Sequence, residues 1–165
     1  MVFNHVNCKN ITNKDEELFV LVTNIIYALS DEWKKSRIRP LDMEYLNFNC
    51  HSICRAISII SPDLHVVSGS YVGLKHISLK EDDLKLDPCW NDHSWLVTPD
   101  GAIIDPHPVG VITVAPLLAV GKGKNAPHGY GLYVPDWRIV TKITNRKLIR
   151  QSHCLHEFIK RLITK

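Results

Sequence analysis

HSWLVTPDGAIIDPHP, residues 93–108, is the stretch from which the fold and the site are predicted. It alternates as a strand does through His93, Trp95 and Val97, a turn follows at 99–101, and a second strand alternates through Ile103 and Asp105. Asp100-Gly101 is a strong signal for a two-residue hairpin turn, which sets the register of the two strands. We therefore expect His93 and Asp105, near the open ends of the hairpin, to be cross-strand neighbours.

A histidine beside a carboxylate is held in one tautomer and is stabilised in its protonated form. Such a pair commonly activates a nucleophile, and a candidate lies upstream in the segment YLNFNCHSICRAISII, residues 45–60. Its apolar residues recur at spacings of three and four, which predicts a buried helix ending at Ser61-Pro62. Asn47 or Asn49 is the predicted N-cap, so Cys50 lies in the first turn.

The first turn of a helix favours a thiolate, because unpaired backbone amides and the helix dipole stabilise negative charge there. The same amides can hold the oxyanion of a tetrahedral intermediate. We therefore predict Cys50 to be a nucleophile. Cys54, one turn further along, is predicted to be a small core residue.

The composition is that of one ordinary domain spanning residues 1–165, with 45% hydrophobic residues. A net charge of +3 is too small to indicate a nucleic-acid partner.

Five irregularly spaced cysteines do not suggest a disulfide framework, and no apolar run is long enough to cross a membrane. The start, MVFNHVNCKNITNKDEE, does not resemble a signal peptide. We expect a cytoplasmic protein, with secretion or delivery as an effector as the alternative, and its oligomeric state is left open.

The other segments predict an α+β fold, in which helices come before and after a mostly antiparallel sheet of four to six strands along the chain, and the cysteine helix packs against the strands that carry His93 and Asp105. Residues 109–120 fit a strand or a short buried helix, and 73–92 are hard to interpret. The glycine-rich segment 121–131 lacks the P-loop spacing and is predicted to be a surface loop or a flap. Helices are predicted at about 14–35 and at 146–163, and strands at 64–72, 132–134 and 137–143.

The chain order of these residues resembles the papain-like fold of the transglutaminase-like superfamily. The resemblance lies in Asn49-Cys50 opening a helix, His93-Ser-Trp-Leu on a strand, and Ile103-Ile104-Asp105-Pro106 on the return strand. It implies that Cys50 is the nucleophile, that His93 is the general base and then the acid, and that Asp105 orients the imidazole. Asn47 or Asn49 would supply a side-chain donor to the oxyanion, and Trp95 would form a wall of the site.

The implied reaction is acyl transfer through a thioester on Cys50, without a cofactor. The substrate would be a peptide or protein amide, or a small acyl donor. Attack by water would make the protein a hydrolase, such as a cysteine peptidase or a deamidase, and attack by an amine would make it an acyltransferase.

Two alternatives belong to other classes of protein. One is a catalytically inactive relative that serves as a binding module. The other is a zinc site formed by Cys89, His93, Asp105 and His107, whose ligand types suit that metal. No acidic loop has the spacing of a calcium site.

Overall fold

The structure is a computed structural model, and it describes residues 11–36, 49–73, 90–106, 117–119, 131–136 and 146–164. Three helices and five strands lie in this part of the chain. In chain order they are α1 (Asn13–Ser36), α2 (Cys50–Ile60), β1 (His65–Gly73), β2 (Trp90–Val97), β3 (Ile103–Asp105), β4 (Leu117–Ala119), β5 (Gly131–Pro135) and α3 (Arg146–Ile163).

The described strands form one sheet in the order β4-β3-β2-β1-β5, and every neighbouring pair is antiparallel. The predicted α+β class is therefore confirmed, as is an antiparallel sheet of four to six strands. For residues 109–120 the sequence left open a strand or a short buried helix, and the end of this segment is the strand β4. The papain-like fold itself stays a prediction.

The central hairpin forms, but its turn is longer than the predicted two-residue turn. Leu96 pairs with Ile104, and the turn closes where the Thr98 amide donates to the Ala102 carbonyl, 2.9 Å away. Three residues, 99–101, thus connect the strands, and Gly101 has a φ of 85°. Glycine adopts this left-handed conformation without the steric cost of a Cβ, as the last position of such a three-residue loop requires.

The longer turn also alters the predicted relation between His93 and Asp105. Continuing the observed register places Asp105 opposite Trp95, so that His93 lies diagonally from Asp105 rather than directly across. Val97 and Ile103 are paired and share one face of the hairpin. His93 is four positions from Val97 and Asp105 is two positions from Ile103, so both also lie on that face. Diagonal neighbours lie within reach of long side chains, so a contact between the two survives the change.

α1 begins with a reciprocal cap. The Asp15 amide donates to Thr12 Oγ1 over 3.2 Å, and the Thr12 amide donates to Asp15 Oδ2 over 3.1 Å. This pattern satisfies two backbone donors that the helix cannot satisfy itself. The observed bounds agree with the predicted helix at about 14–35.

α2 is capped by Asn49, whose Oδ1 accepts from the Ser52 amide at 2.8 Å. The Asn49 amide in turn donates to Ser52 Oγ at 3.2 Å, which completes a capping box. Of the two predicted caps, Asn49 is therefore the one used. Beyond the cap, Ile53, Ala56 and Ile57 are buried.

The two faces of the sheet carry different apolar clusters. Leu96 and Ile104 face the helices and belong to the main core with buried residues of all three helices. The neighbouring residues in the chain point to the other face, because side chains alternate along a strand. There Trp95, Ile103 and Tyr133 form a second, smaller cluster.

β1 and β5 approach closely at Gly69, which pairs with Pro135. A Cβ at Gly69 would lie 2.0 Å from the Val134 carbonyl oxygen, which is backbone and cannot turn away. Position 69 therefore requires glycine. The β1–β2 register also shifts between Gly69 and Tyr71, next to the pairing of Gly69 with His93.

Several predictions fall outside the described residues. They are the strand at 137–143, the poorly legible residues 74–89 within 73–92, the glycine-rich loop as far as residue 130, and the cap alternative Asn47. None of the described helices has the length and apolar content needed to cross a bilayer.

Candidate active site

Cys50 is the first residue of α2 and is partly exposed. The Ile53 amide makes the first main-chain bond of the helix, to the Asn49 carbonyl 3.0 Å away, so the Cys50 amide belongs to the unpaired helix start. One turn on, Cys54 is fully buried and its thiol donates to the Ser94 carbonyl 3.3 Å away. This bond attaches the start of α2 to β2. The prediction that Cys54 is a core residue is confirmed.

The structure brings His93 and Asp105 together in the interior. His93 Nε2 lies 2.8 Å from Asp105 Oδ2, and the two side chains are 2% and 0% exposed. Because Nε2 faces the carboxylate, Nδ1 is the ring nitrogen left to exchange a proton with the Cys50 thiol. The predicted pairing of this histidine with this aspartate is thus confirmed as a contact.

Tyr133 is a third member of this group that the sequence did not indicate. Its hydroxyl donates to Asp105 Oδ2 over 2.8 Å, and the side chain is 2% exposed. Its strand, β5, was predicted. In the sheet β5 pairs with β1, and Asp105 lies on β3, so the contact between Tyr133 and Asp105 passes over β1 and β2. Sequence alternation indicates which face a residue occupies, but it does not indicate a neighbour across several strands.

Trp95 lies beside the histidine, with ring centroids 6.1 Å apart. It also contacts Tyr133 edge to face, with centroids 5.0 Å apart, and only 1% of it is exposed. Aromatic edge-to-face pairs of this kind stabilise a fixed arrangement. Trp95 therefore holds the two rings that contact Asp105. Its contact with a substrate stays a prediction.

The charges at the site favour an ion pair between the thiol and the imidazole. Burial raises the pKa of Cys50, but hydrogen bonds with His51 and His93 and the charge on His93 outweigh burial and lower the pKa from 9.0 to about 6. Burial lowers the pKa of His93, but hydrogen bonds with Asp105 and Cys50 and their negative charges raise it from 6.5 to about 9. At neutral pH the resting site thus holds a thiolate and an imidazolium.

Burial also acts on Cys54, and there nothing reverses it. Burial and the nearby charges of Asp105 and Cys50 raise the pKa of Cys54 well above 9.0. The two cysteines of α2 therefore differ in chemistry, because Cys50 is a thiolate and Cys54 a thiol at neutral pH.

His51, which follows the cysteine, is a second histidine at the thiol that the sequence reading missed. Its Nδ1 lies 2.7 Å from Ser94 Oγ, and Ser94 Oγ lies 2.6 Å from Ser68 Oγ. Both serines are buried, and they face each other in the register of β1 and β2. The sequence signal for this group was one serine in each of two predicted strands, Ser68 and Ser94. Such a pair does not indicate that a histidine of a helix will contact it.

The remaining predicted residues have different outcomes. Asn49 uses its side-chain oxygen to cap α2, and its role as an oxyanion donor stays a prediction. Asn47 lies outside the described residues, as do Cys89 and His107 of the zinc alternative. Among residues that are described, no three His, Cys, Asp or Glu side chains are grouped so as to hold a metal ion.

Comparisons of the chain with protein-family models, with curated proteins and with solved structures each found no match. The evidence on function is therefore the geometry and the charges of the site itself.

Proposed function

We propose that the protein is a thiol-dependent acyl-transfer enzyme with Cys50 as nucleophile, His93 as acid and base, and Asp105 as the residue that orients His93. The observation that carries the proposal is the charged pair at the start of α2, in which the pKa of Cys50 is lowered to about 6 beside a His93 held by Asp105. A low-pKa thiol at a helix N-terminus beside an imidazolium is an activated nucleophile.

The first half-reaction forms a thioester. The Cys50 thiolate attacks the carbonyl carbon of an amide, ester or thioester, and the carbonyl oxygen becomes an oxyanion beside the first-turn amides of α2. The intermediate then expels the leaving group, which takes the proton from His93. The acyl group remains on the sulfur, and His93 is left neutral.

The second half-reaction restores the enzyme. Neutral His93 accepts a proton from water or an amine as that nucleophile attacks the thioester carbonyl, and the thiolate leaves. Water releases a carboxylic acid, which is hydrolase chemistry. An amine releases an amide, which is acyltransferase chemistry. His93 ends as the imidazolium, so the ion pair is regenerated.

Asp105 acts on His93 and not on the substrate. Its carboxylate accepts from Nε2, so Nδ1 faces the thiol in both protonation states of the ring. The order of these residues, the helix–sheet arrangement and the buried carboxylate support the more specific proposal of a papain-like, transglutaminase-like enzyme. The proposed substrate is a peptide or protein amide, or a small acyl donor.

The test begins with selective alkylation. At pH 6.5, iodoacetamide should modify Cys50 faster than Cys154, an exposed cysteine on α3 that serves as the internal control. His93→Ala should slow the reaction of Cys50 and leave that of Cys154 unchanged. Equal, slow labelling of both cysteines in the native protein would contradict the activated thiol.

Turnover is tested with an activated ester such as p-nitrophenyl acetate. Mass spectrometry should detect an acetyl group on Cys50, which water or an added amine then removes. Asp105→Asn should slow turnover by about ten-thousandfold while the protein stays folded, because the change removes the charge that holds the imidazole and removes little volume. A protein whose Cys50 alkylates rapidly but never acquires the acetyl group would instead be an inactive binding module.

A further inference from the structure

We propose that His51 is a second hydrogen-bond donor to the Cys50 thiolate, held in place by the paired hydroxyls of Ser94 and Ser68. This inference deepens the proposed function and rests on it, because it concerns the same nucleophile. It gives Cys50 two imidazole partners, of which His93 moves protons and His51 retains its own.

The position of the His51 ring follows from two fixed points. Its backbone is in the first turn of α2, which the Asn49 capping box holds. Its Nδ1 is bound to Ser94 Oγ at 2.7 Å, on the strand that also carries His93. With Nδ1 occupied by the serine, Nε2 is the nitrogen left to face the sulfur of the preceding residue, and His51 is among the causes of the lowered pKa of Cys50.

The serine pair sets which nitrogen carries the proton. Each hydroxyl has one proton to donate. If Ser68 donates to Ser94, then Ser94 donates to His51 Nδ1, and the ring proton must be on Nε2. A thiolate needs a donor, so the charge on Cys50 favours this direction over its reverse. The chain Ser68, Ser94, His51, Cys50 thus ends in an N–H that points at the sulfur.

The two histidines are not equivalent, because their partners differ. His93 is backed by the carboxylate of Asp105, which stabilises an imidazolium. His51 is backed by the neutral hydroxyl of Ser94. His51 thus stabilises negative charge on sulfur without giving up a proton, both in the resting thiolate and when the thiolate leaves in deacylation.

The other titratable groups near the thiol have identified partners. Cys54 donates to the Ser94 carbonyl and stays a thiol, as its raised pKa requires. Asp105 lies behind His93 and acts on Cys50 through that ring. The hydrogen bonds that lower the Cys50 pKa come from His51 and His93. Replacing either histidine should therefore raise it.

The experiment measures the pKa of the Cys50 thiol from the pH dependence of its alkylation, which requires no substrate. In His51→Ala the midpoint should move upward by about one pH unit, the size expected for loss of one hydrogen bond to a charged group. His51→Gln, which keeps a side-chain N–H, should restore part of that change. His153→Ala removes an exposed histidine from α3 and is the matched control, with no expected change.

Ser94→Ala tests the chain of hydroxyls without altering either histidine or the backbone carbonyl that holds Cys54. It should move the midpoint in the same direction as His51→Ala, by less. If His51→Ala does not fold, Ser94→Ala and His51→Gln decide the outcome. A midpoint that stays in place in every folded His51 and Ser94 variant, but moves in His93→Ala, would overturn the role of His51 and leave the proposed function standing. A wild-type midpoint near 9 would overturn both.

Discussion

At the scale of single residues, burial raises the pKa of Cys50 and lowers the pKa of His93. Burial alone would neutralise both Cys50 and His93, since removal from water disfavours each charged form. Their contact reverses this outcome, because each charge stabilises the other and Asp105 adds to the effect on His93. An isolated thiol in the same position would be protonated and unreactive at neutral pH.

The first prediction concerns pH. The pKa of Cys50 is lowered to about 6, so the thiolate is lost as the pH falls through that value. The pKa of His93 is raised to about 9, so the imidazolium is lost as the pH rises through that value. Turnover of an activated ester should therefore follow a bell with limbs near 6 and 9, measured as kcat/KM.

The mutant profiles identify the limbs. His93→Ala should remove the upper limb, because that limb arises from the loss of the His93 proton. A single rising limb near 9 in the native protein would contradict the ion pair.

The second prediction concerns Tyr133, which donates to the buried Asp105 carboxylate. Tyr133→Phe keeps the ring against Trp95 and removes the donor. The free energy of unfolding should fall by about 1.5–3 kcal/mol, since the lost hydrogen bond was made to a charged group. Urea denaturation measures this. Tyr27→Phe, at a partly exposed tyrosine of α1, is the control and should change stability by less than about 0.5 kcal/mol. Equal losses in the free energy of unfolding for the two variants would contradict a stabilising bond from the Tyr133 hydroxyl to Asp105.

At the scale of elements, the turn of the hairpin is attached to the start of α1. Thr98 Oγ1 donates to Asp15, which is 1% exposed, and Thr12 Oγ1 donates to Asp100 Oδ2 at 2.7 Å. The Ala102 amide donates to Thr98 Oγ1 at 3.0 Å. Asp15 thus caps α1 and also binds the strand that continues to His93. From the sequence alone, Asp15 offers only a negative charge at the positive end of a helix, and the bond to Thr98 depends on tertiary contact.

The third prediction tests this attachment. Thr98→Val keeps the shape of the side chain but leaves the Asp15 carboxylate without one donor and the Ala102 amide without its acceptor. The free energy of unfolding should fall by about 1–3 kcal/mol. Thr164→Val removes an exposed hydroxyl that donates to the Lys160 carbonyl, and it should change stability by less than about 0.5 kcal/mol. A Thr98 variant as stable as the control would contradict the attachment.

Periodicity and capping residues were sufficient to predict the helices. The predicted helix at 146–163 has the observed bounds, and β1 differs from its prediction by one residue at each end. Local signals determine such elements, since spacing and caps act within a few residues. The hairpin turn was wrong by one residue, because Asp-Gly serves equally in a two-residue turn and at the end of a three-residue loop.

At the scale of the whole molecule, the helices support the site from one side of the sheet. α3 packs against α2, and its Leu155 and Ile159 are fully buried in the main core. α2 in turn packs against β2. The C-terminal helix thus holds the cysteine helix against the strand that carries His93.

The fourth prediction follows from this packing. Leu155→Ala should lower the free energy of unfolding by about 2–5 kcal/mol, because it opens a cavity in the main core. Ile149→Ala, on the exposed side of the same helix, should cost less than about 0.5 kcal/mol. Thermal or urea unfolding compares the two. Similar losses at both positions would contradict the buried placement of Leu155.

The sequence by itself indicated the three described helices, the central hairpin and three residues of the candidate site. Cys50 was indicated by its place at the start of a patterned helix, and His93 and Asp105 by their places on one hairpin. Each of these signals is local, because it depends on residues within one element or on two strands joined by a short turn.

Only the tertiary structure decided what surrounds those three residues. Tyr133 reaches Asp105 across the sheet, and His51 reaches Ser94 from a different element. The pKa values of Cys50 and His93 depend on these distances and on burial, which no spacing in the chain specifies. The physical reason is that packing brings together residues far apart in sequence, and electrostatic effects depend on that proximity.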